Sequence, residues 1–303
     1  MKKFISMALA LVMTLSLCTF VAAPKAEAAF DDADEFSSKY AVQAIDVIQK
    51  IEVMDGYDDN TFKPTAGLTR QAAAKIICNM ILGPTTAKAL PTNASPFPDV
   101  LPGTEWAGYI SYCLQQGIIS GYSDGTFKGG DPLSGYAYLK MLLGALGYDA
   151  EKEGFVGANW KVNVAKTALG IGLDKGISVE LDGTTQVTRE DAAIYAFNTL
   201  QADMVEYDSQ NTLEINGVKV TMGGSNAVPQ TWNTSSTSAD NINNEKSDGQ
   251  NARPIVQFAE RYFDKLERWP KVWDTYTTDD LAVRPSNGLG RALTSAPTPA
   301  TPT

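Results

Sequence analysis

Apolar residues along this chain fall into pairs of helical stripes separated by short stretches rich in Gly and Asp. The first stripe is Tyr40, Ala41, Ala44, Ile45, Ile48 and Ile51, spaced for one face of a helix. A second begins at Leu68-Thr69-Arg70-Gln71 and runs through Ala73, Ile76, Ile77, Met80 and Ile81. The pattern returns with Trp106, Ala107, Ile110 and Leu114, then from Ser134 with Tyr138, Met141, Leu142, Ala145 and Leu146. A third pass gives Ala165, Ala168, Leu169 and Leu173, then from Thr188 Ala192, Tyr195, Ala196, Thr199 and Leu200. Counted from Thr69, Ser134 and Thr188, packing residues stand at +4, +7, +8, +11 and +12, with Thr199 the one polar member. The prediction is a mainly α protein of three helix-turn-helix units. None can bury its own apolar face, so they must pack on one another.

The turns repeat as well. Glu52-Val53-Met54-Asp55-Gly56-Tyr57-Asp58-Asp59-Asn60-Thr61-Phe62-Lys63 matches the stretch from Gly117 to Lys128, and Gly176 to Thr184 is a worn third copy. Thr69, Ser134 and Thr188 stand where N-caps belong, and Thr188-Arg189-Glu190-Asp191 approximates a capping box. Arg70 and Arg189 follow two of these caps, at the positive end of a helix dipole. A cation beside free first-turn N–H groups suits a bound anion; a surface salt bridge to a neighbouring unit explains it equally well. The Asp-rich stretches around Asp31 and Asp58 could be read as calcium loops, but they lack EF-hand spacing and suit ordinary turns.

Charge and composition narrow the chemistry. A net charge of −10 argues against nucleic acid as a partner. The absence of His removes His-based triads and His-based zinc sites. Lys2 and Lys3 precede an apolar run to about Ala23, with Ala26-Glu27-Ala28 before Ala29, so residues 1–28 read as a cleaved export signal. That segment carries three Lys and one Glu, a net +2, so the remaining chain stands near −12. Cys78 and Cys113 then remain, as buried free thiols or as a disulfide. No cofactor, metal or further membrane span is expected. The three units occupy residues 30–93, 94–150 and 151–207. Residues 208–252 read as a β-hairpin around Asn216-Gly217 followed by a Ser-, Thr- and Asn-rich linker. Residues 253–303 read as a short helix with little to pack on and a Pro-, Thr- and Ala-rich disordered end from Leu281. The change of character there suggests a truncated or frame-shifted tail.

These motifs resemble the S-layer homology domain in three tandem copies. Phe30-x-Asp32 and Phe97-x-Asp99 match its opening, the turns match as quoted, and Leu68-Thr69-Arg70-Gln71 and Val187-Thr188-Arg189-Glu190 match its closing motif. The second copy departs with Gly135 where Arg would stand; the third has Phe155-Val156-Gly157 at its opening and a shortened turn. The resemblance implies a secreted protein with a pseudo-threefold helical spindle, whose grooves bind secondary cell-wall polysaccharide, often bearing ketal-linked pyruvate. It is expected to act at the cell wall or surface layer, among other surface-layer proteins, as an anchor rather than an enzyme. Arg70, Arg189, Thr69, Thr188, Asp32 and Asp99 are the implied binding residues, and Trp106 reads as core rather than sugar platform. The rival readings are a wall-targeted hydrolase using paired carboxylates and a lattice protein acting by self-assembly.

Overall fold

Thr69, Ser134 and Thr188 each begin a helix, and for one shared reason. Each side-chain oxygen accepts the N–H three residues on, from Ala72 (3.4 Å), Ala137 (3.3 Å) and Asp191 (3.1 Å). The computed structural model describes residues 30–177 and 183–207, with 211–215, 218–222, 226–231, 255–263, 266–268 and 281–283 beyond them. The helices are α1 (Lys39–Lys50), α2 (Arg70–Leu82), α3 (Pro84–Lys88), α4 (Glu105–Gln115), α5 (Gly135–Ala145), α6 (Trp160–Gly170), α7 (Arg189–Gln201) and α8 (Phe258–Tyr262). The chain is mainly helical. The segment read as an export signal, residues 178–182 of the third turn and most of residues 208–303 lie outside the described residues.

The predicted apolar face is the core. Of the positions counted from the three caps, all are buried except Ile81, which is half-buried. The second helix of each unit packs on the first helix of another: α2 on α4, α5 on α6, and α7 on α1. Where the helix starts converge, three backbone bonds close a ring. Leu68 N–H donates to Val187 O (2.9 Å), Val187 N–H to Leu133 O (2.9 Å), and Leu133 N–H to Leu68 O (3.0 Å). Phe30, Phe97 and Phe155 are all buried, so the third unit keeps the opening Phe although Gly157 replaces the Asp.

Helix α6 corrects one predicted stripe. Leu169 is 43% exposed and Ala165 half-buried; Val164 joins the predicted Ala168 and Leu173 on the buried face. The helix is turned so that bulky Val164, rather than Ala165, meets the core. Cys78 and Cys113 are buried free thiols on α2 and α4, with sulfurs 3.6 Å apart. The hydrogen bond between them, with burial, holds the Cys78 thiol well above its usual range.

Glu52 occupies the place of Gly117 and Gly176, and all three have positive φ (57°, 71° and 81°). A non-glycine residue there costs about 1–2 kcal/mol, partly offset by glycine's greater freedom when unfolded. Glu52→Gly is therefore expected to stabilise the fold by about 0.5–1 kcal/mol in urea unfolding.

Beyond the helices, β2 (Asn211–Ile215) and β3 (Val218–Met222) form the expected hairpin, with Leu213 opposite Val220. The linker reading fails for residues 226–231: β4 (Ala227–Pro229) pairs antiparallel with β1 (Val205–Tyr207). The helix after residue 253 also has a partner. Met204 N–H donates to Val256 O (2.8 Å), Phe258 N–H to Ala202 O (3.0 Å), and Val256, Phe258 and Ala259 are buried against the body. The apolar face that lacked a sequence-adjacent partner packs on α7 and α2. At the end read as disordered, β6 (Leu281–Val283) pairs with β5 (Leu266–Arg268).

Candidate functional site

Arg70 and Arg189 occupy equivalent positions and reach across to another unit's turn. Arg70 donates from Nε to Phe127 O (2.9 Å) and from Nη2 to Ser120 O (3.2 Å). Arg189 donates to Phe62 O and Asp55 O, both at 2.8 Å. Each guanidinium lies over an aromatic pair. Arg70 is 4.8 Å from Tyr122 and 4.6 Å from Phe127; Arg189 is 4.8 Å from Tyr57 and 4.7 Å from Phe62. Burial lowers the Arg189 pKa, but a guanidinium remains charged throughout the usual pH range. The arginines therefore rivet neighbouring units through backbone carbonyls, an arrangement distinct from both a surface ion pair and a helix-end anion nest.

The first-turn N–H groups are engaged too. Arg70 and Gln71 donate to Asp131 O and Gly129 O, while Arg189 and Glu190 donate to Ala66 O and Pro64 O. With Thr69 and Thr188 accepting the next N–H, the start of each helix is satisfied by protein. In the second unit, Gly135 and Tyr136 donate to Thr185 O and Gly183 O. A Cβ at Gly135 would lie 3.2 Å from Gly183 Cα, a tight contact against backbone. Tyr136 covers Gly183.

Asp32 and Asp99 clamp their own turns. Asp32 accepts from Phe62 N–H (2.9 Å) and Lys63 N–H (2.7 Å); Asp99 accepts from Phe127 N–H and Lys128 N–H at the same distances. Lys63 and Lys128 both hold φ near +55°, so the clamp fixes an otherwise unfavourable backbone. Asp59 and Asp124 accept from the N–H and hydroxyl of Thr61 and Thr126, respectively. Among the described residues, no group of three His, Cys, Asp or Glu converges as a metal site would require.

Asp99 and Asp124 make the second turn acid-sensitive. The Phe127 amide lowers the Asp99 pKa, and the Thr126 hydroxyl takes Asp124 down to about 2. A depressed native pKa contributes stability above the ordinary carboxylate range and loses it as pH falls through the native value. The melting temperature should therefore fall between about pH 4 and pH 2, and less steeply in Asp99→Asn.

Arg70 also borders a groove of about 520 Å³ between the second and third units. Lys140, Lys161, Trp160 and Tyr122 share its wall, and no carboxylate lines it among the described residues. The Lys140 and Lys161 ammonium groups lie 5.8 and 5.9 Å from the Trp160 ring. Burial lowers the Lys140 pKa, and the residue makes no ion pair among the described residues. Its counterpart Lys75 is neutralised by Glu105 at 3.3 Å. Trp106, expected in the core, is half-buried at the edge of a separate cavity of about 310 Å³ with Asp99 and Lys128.

Lys140, Lys161, Trp160 and Tyr122 were not among the residues expected from sequence. A signal for one was present: Lys75 and Lys140 both stand at +6 from their caps, outside the apolar positions. The free charge of Lys140 was not visible, because it depends on which residue opens the next unit's first helix.

The S-layer homology domain is found at two segments, residues 29–74 and 96–135, within the first two units. Over 89 residues, or 29% of its length, the chain is 39% identical to Cell surface glycoprotein 1 of Acetivibrio thermocellus, spanning 4% of that protein. Over 262 residues, or 83% of its length, it is 24% identical to an uncharacterized cell wall amidase of Bacillus anthracis, spanning 47% of that protein. The S-layer homology segments imply anchoring at the cell wall and a cell-surface location. No helix among the described residues is long and apolar enough to cross a membrane.

Proposed function

We propose that the chain anchors a surface protein non-covalently by binding an anionic secondary cell-wall polysaccharide in the groove of Arg70, Lys140, Trp160 and Lys161. One observation carries this reading: in a chain of net charge −10, Arg70, Lys140 and Lys161 meet Tyr122 and Trp160 in a groove that no carboxylate lines among the described residues. The polymer's acidic groups, such as ketal-linked pyruvate, would meet the lysines and the Arg70 donors left over from its two carbonyl bonds. Its sugar rings would lie against Trp160 and Tyr122. General repulsion from the acidic surface leaves binding to this local field.

In this reading the three units form a pseudo-threefold spindle, supported by the ring of Leu68, Leu133 and Val187 and the return of α7 to α1. Thr69, Thr188, Asp32, Asp99 and Arg189 act on the frame of the site rather than on the glycan. The similarity to a cell wall amidase favours hydrolysis as a second reading, in which the repeats would target a catalytic region. Co-sedimentation with purified sacculi, before and after chemical removal of the secondary polymer, tests the anchor. Binding should be lost with the polymer; persistence on stripped sacculi would refute the proposal, and release of wall fragments would favour the hydrolase.

A further inference from the structure

Ten residues after each N-cap the first and third units carry Asn79 and Asn198, and the second carries Gly144. The asparagines have one role. Nδ2 of Asn79 donates to Val53 O (3.2 Å) and Glu52 O (3.4 Å). Nδ2 of Asn198 donates to Leu173 O (2.7 Å) and Lys175 O (2.8 Å). Each amide thus satisfies carbonyls where the chain leaves the first helix of its unit. Gly144 cannot, and the matching carbonyls of Gly117 and Ile118 accept no hydrogen bond among the described residues.

Where that amide is missing there is a cavity of about 510 Å³, within the range of small-molecule sites. Gly117, Ile118 and Gly144 form one side; Tyr112, Tyr148 and Gln230 contribute to the rest. The Oε1 atom of Gln230 is shielded from solvent and has no hydrogen-bond partner among the described residues. Gln230 Oε1 is thus a buried acceptor without a donor, with a desolvation cost that a donating ligand removes. Asp149 and Arg261 are the charged groups at the wall, and they cancel, in contrast to the three cations of the Lys140 groove. Burial pushes the Tyr112 hydroxyl up to about 12, so it remains a donor at neutral pH.

We propose that this cavity is a separate binding site for a neutral sugar unit, whose hydroxyls donate to the Gly117 and Ile118 carbonyls and to Gln230 Oε1. Tyrosine rings supply the apolar faces and tyrosine hydroxyls complete the polar contacts. The site stands where one repeat lacks a side chain that its sisters use internally.

Restoring that side chain is the test. A Cβ at Gly144 would come no closer than 3.5 Å to Ile118, an ordinary contact, so Gly144→Asn can be accommodated at its root. Calorimetric titration of the full chain would use cellotriose, maltotriose and triacetylchitotriose, with trigalacturonate as the acidic comparison. At least one neutral trisaccharide should bind. Gly144→Asn and Gln230→Leu should each weaken it by about tenfold, the scale of one good hydrogen bond, with the melting temperature kept or raised. Lys140→Glu should leave it unchanged. The proposal fails if no neutral trisaccharide binds at millimolar concentration. It also fails if both variants bind as the wild type does, or if Lys140→Glu abolishes binding.

Discussion

Arg189→Ala is expected to lower the unfolding free energy by about 3 kcal/mol, roughly a 150-fold change in the folding equilibrium. The substitution removes two charge-assisted bonds, to Phe62 O and Asp55 O, and two ring contacts, with Tyr57 and Phe62. It also leaves those carbonyls without their side-chain donor. Arg189→Lys keeps the charge but lacks the planar fork, so it should recover less than half of the loss. Urea unfolding of the three proteins measures both effects. A variant as stable as wild type would show that the rivet between the third and first units contributes nothing.

Lys140→Glu is expected to weaken binding to purified acidic wall polymer by about 100-fold, or about 3 kcal/mol, because it removes an unpaired cation and adds a repelling charge. Folding stability should change little, since Lys140 makes no ion pair among the described residues. Lys75→Glu at the equivalent position should have a much smaller effect, because Glu105 already neutralises Lys75. Wild-type binding should weaken with added salt and Lys140→Glu should respond less, as expected for screened contacts. Equal losses from the two substitutions would move the site away from this groove.

The fold was legible where one face repeats. Tyr138, Met141 and Leu142, with their counterparts after Thr69 and Thr188, are buried as their spacing requires. Helix α6 was misread because Ala165 and Val164 are both apolar, and periodicity alone does not choose between adjacent small and large residues. The segment from Ile255 to Phe263 has its partners on α7 and α2, far away in sequence, where local periodicity does not reach.

The site was less legible for a specific reason. The motif containing Thr69, Arg70, Thr188 and Arg189 recurs where units join, so repetition marks the joins. Arg70 is the exception, for it holds the Ser120 and Phe127 carbonyls and also borders the basic groove. Features that distinguish the groove are departures between copies. Lys140 makes no ion pair among the described residues where Lys75 is paired, and Gly135 abuts Gly183 where the other units place Arg. Such differences acquire meaning only when the copies are seen packed together.

The anchor reading is tested most directly at Trp160. In the amide and indole spectrum of ¹⁵N-labelled protein, titration with purified secondary polymer should shift or broaden the Trp160 indole resonance, assigned through Trp160→Phe. The Trp106 indole should remain in place. An unchanged Trp160 signal at saturating polymer, or a response confined to Trp106, would contradict the account.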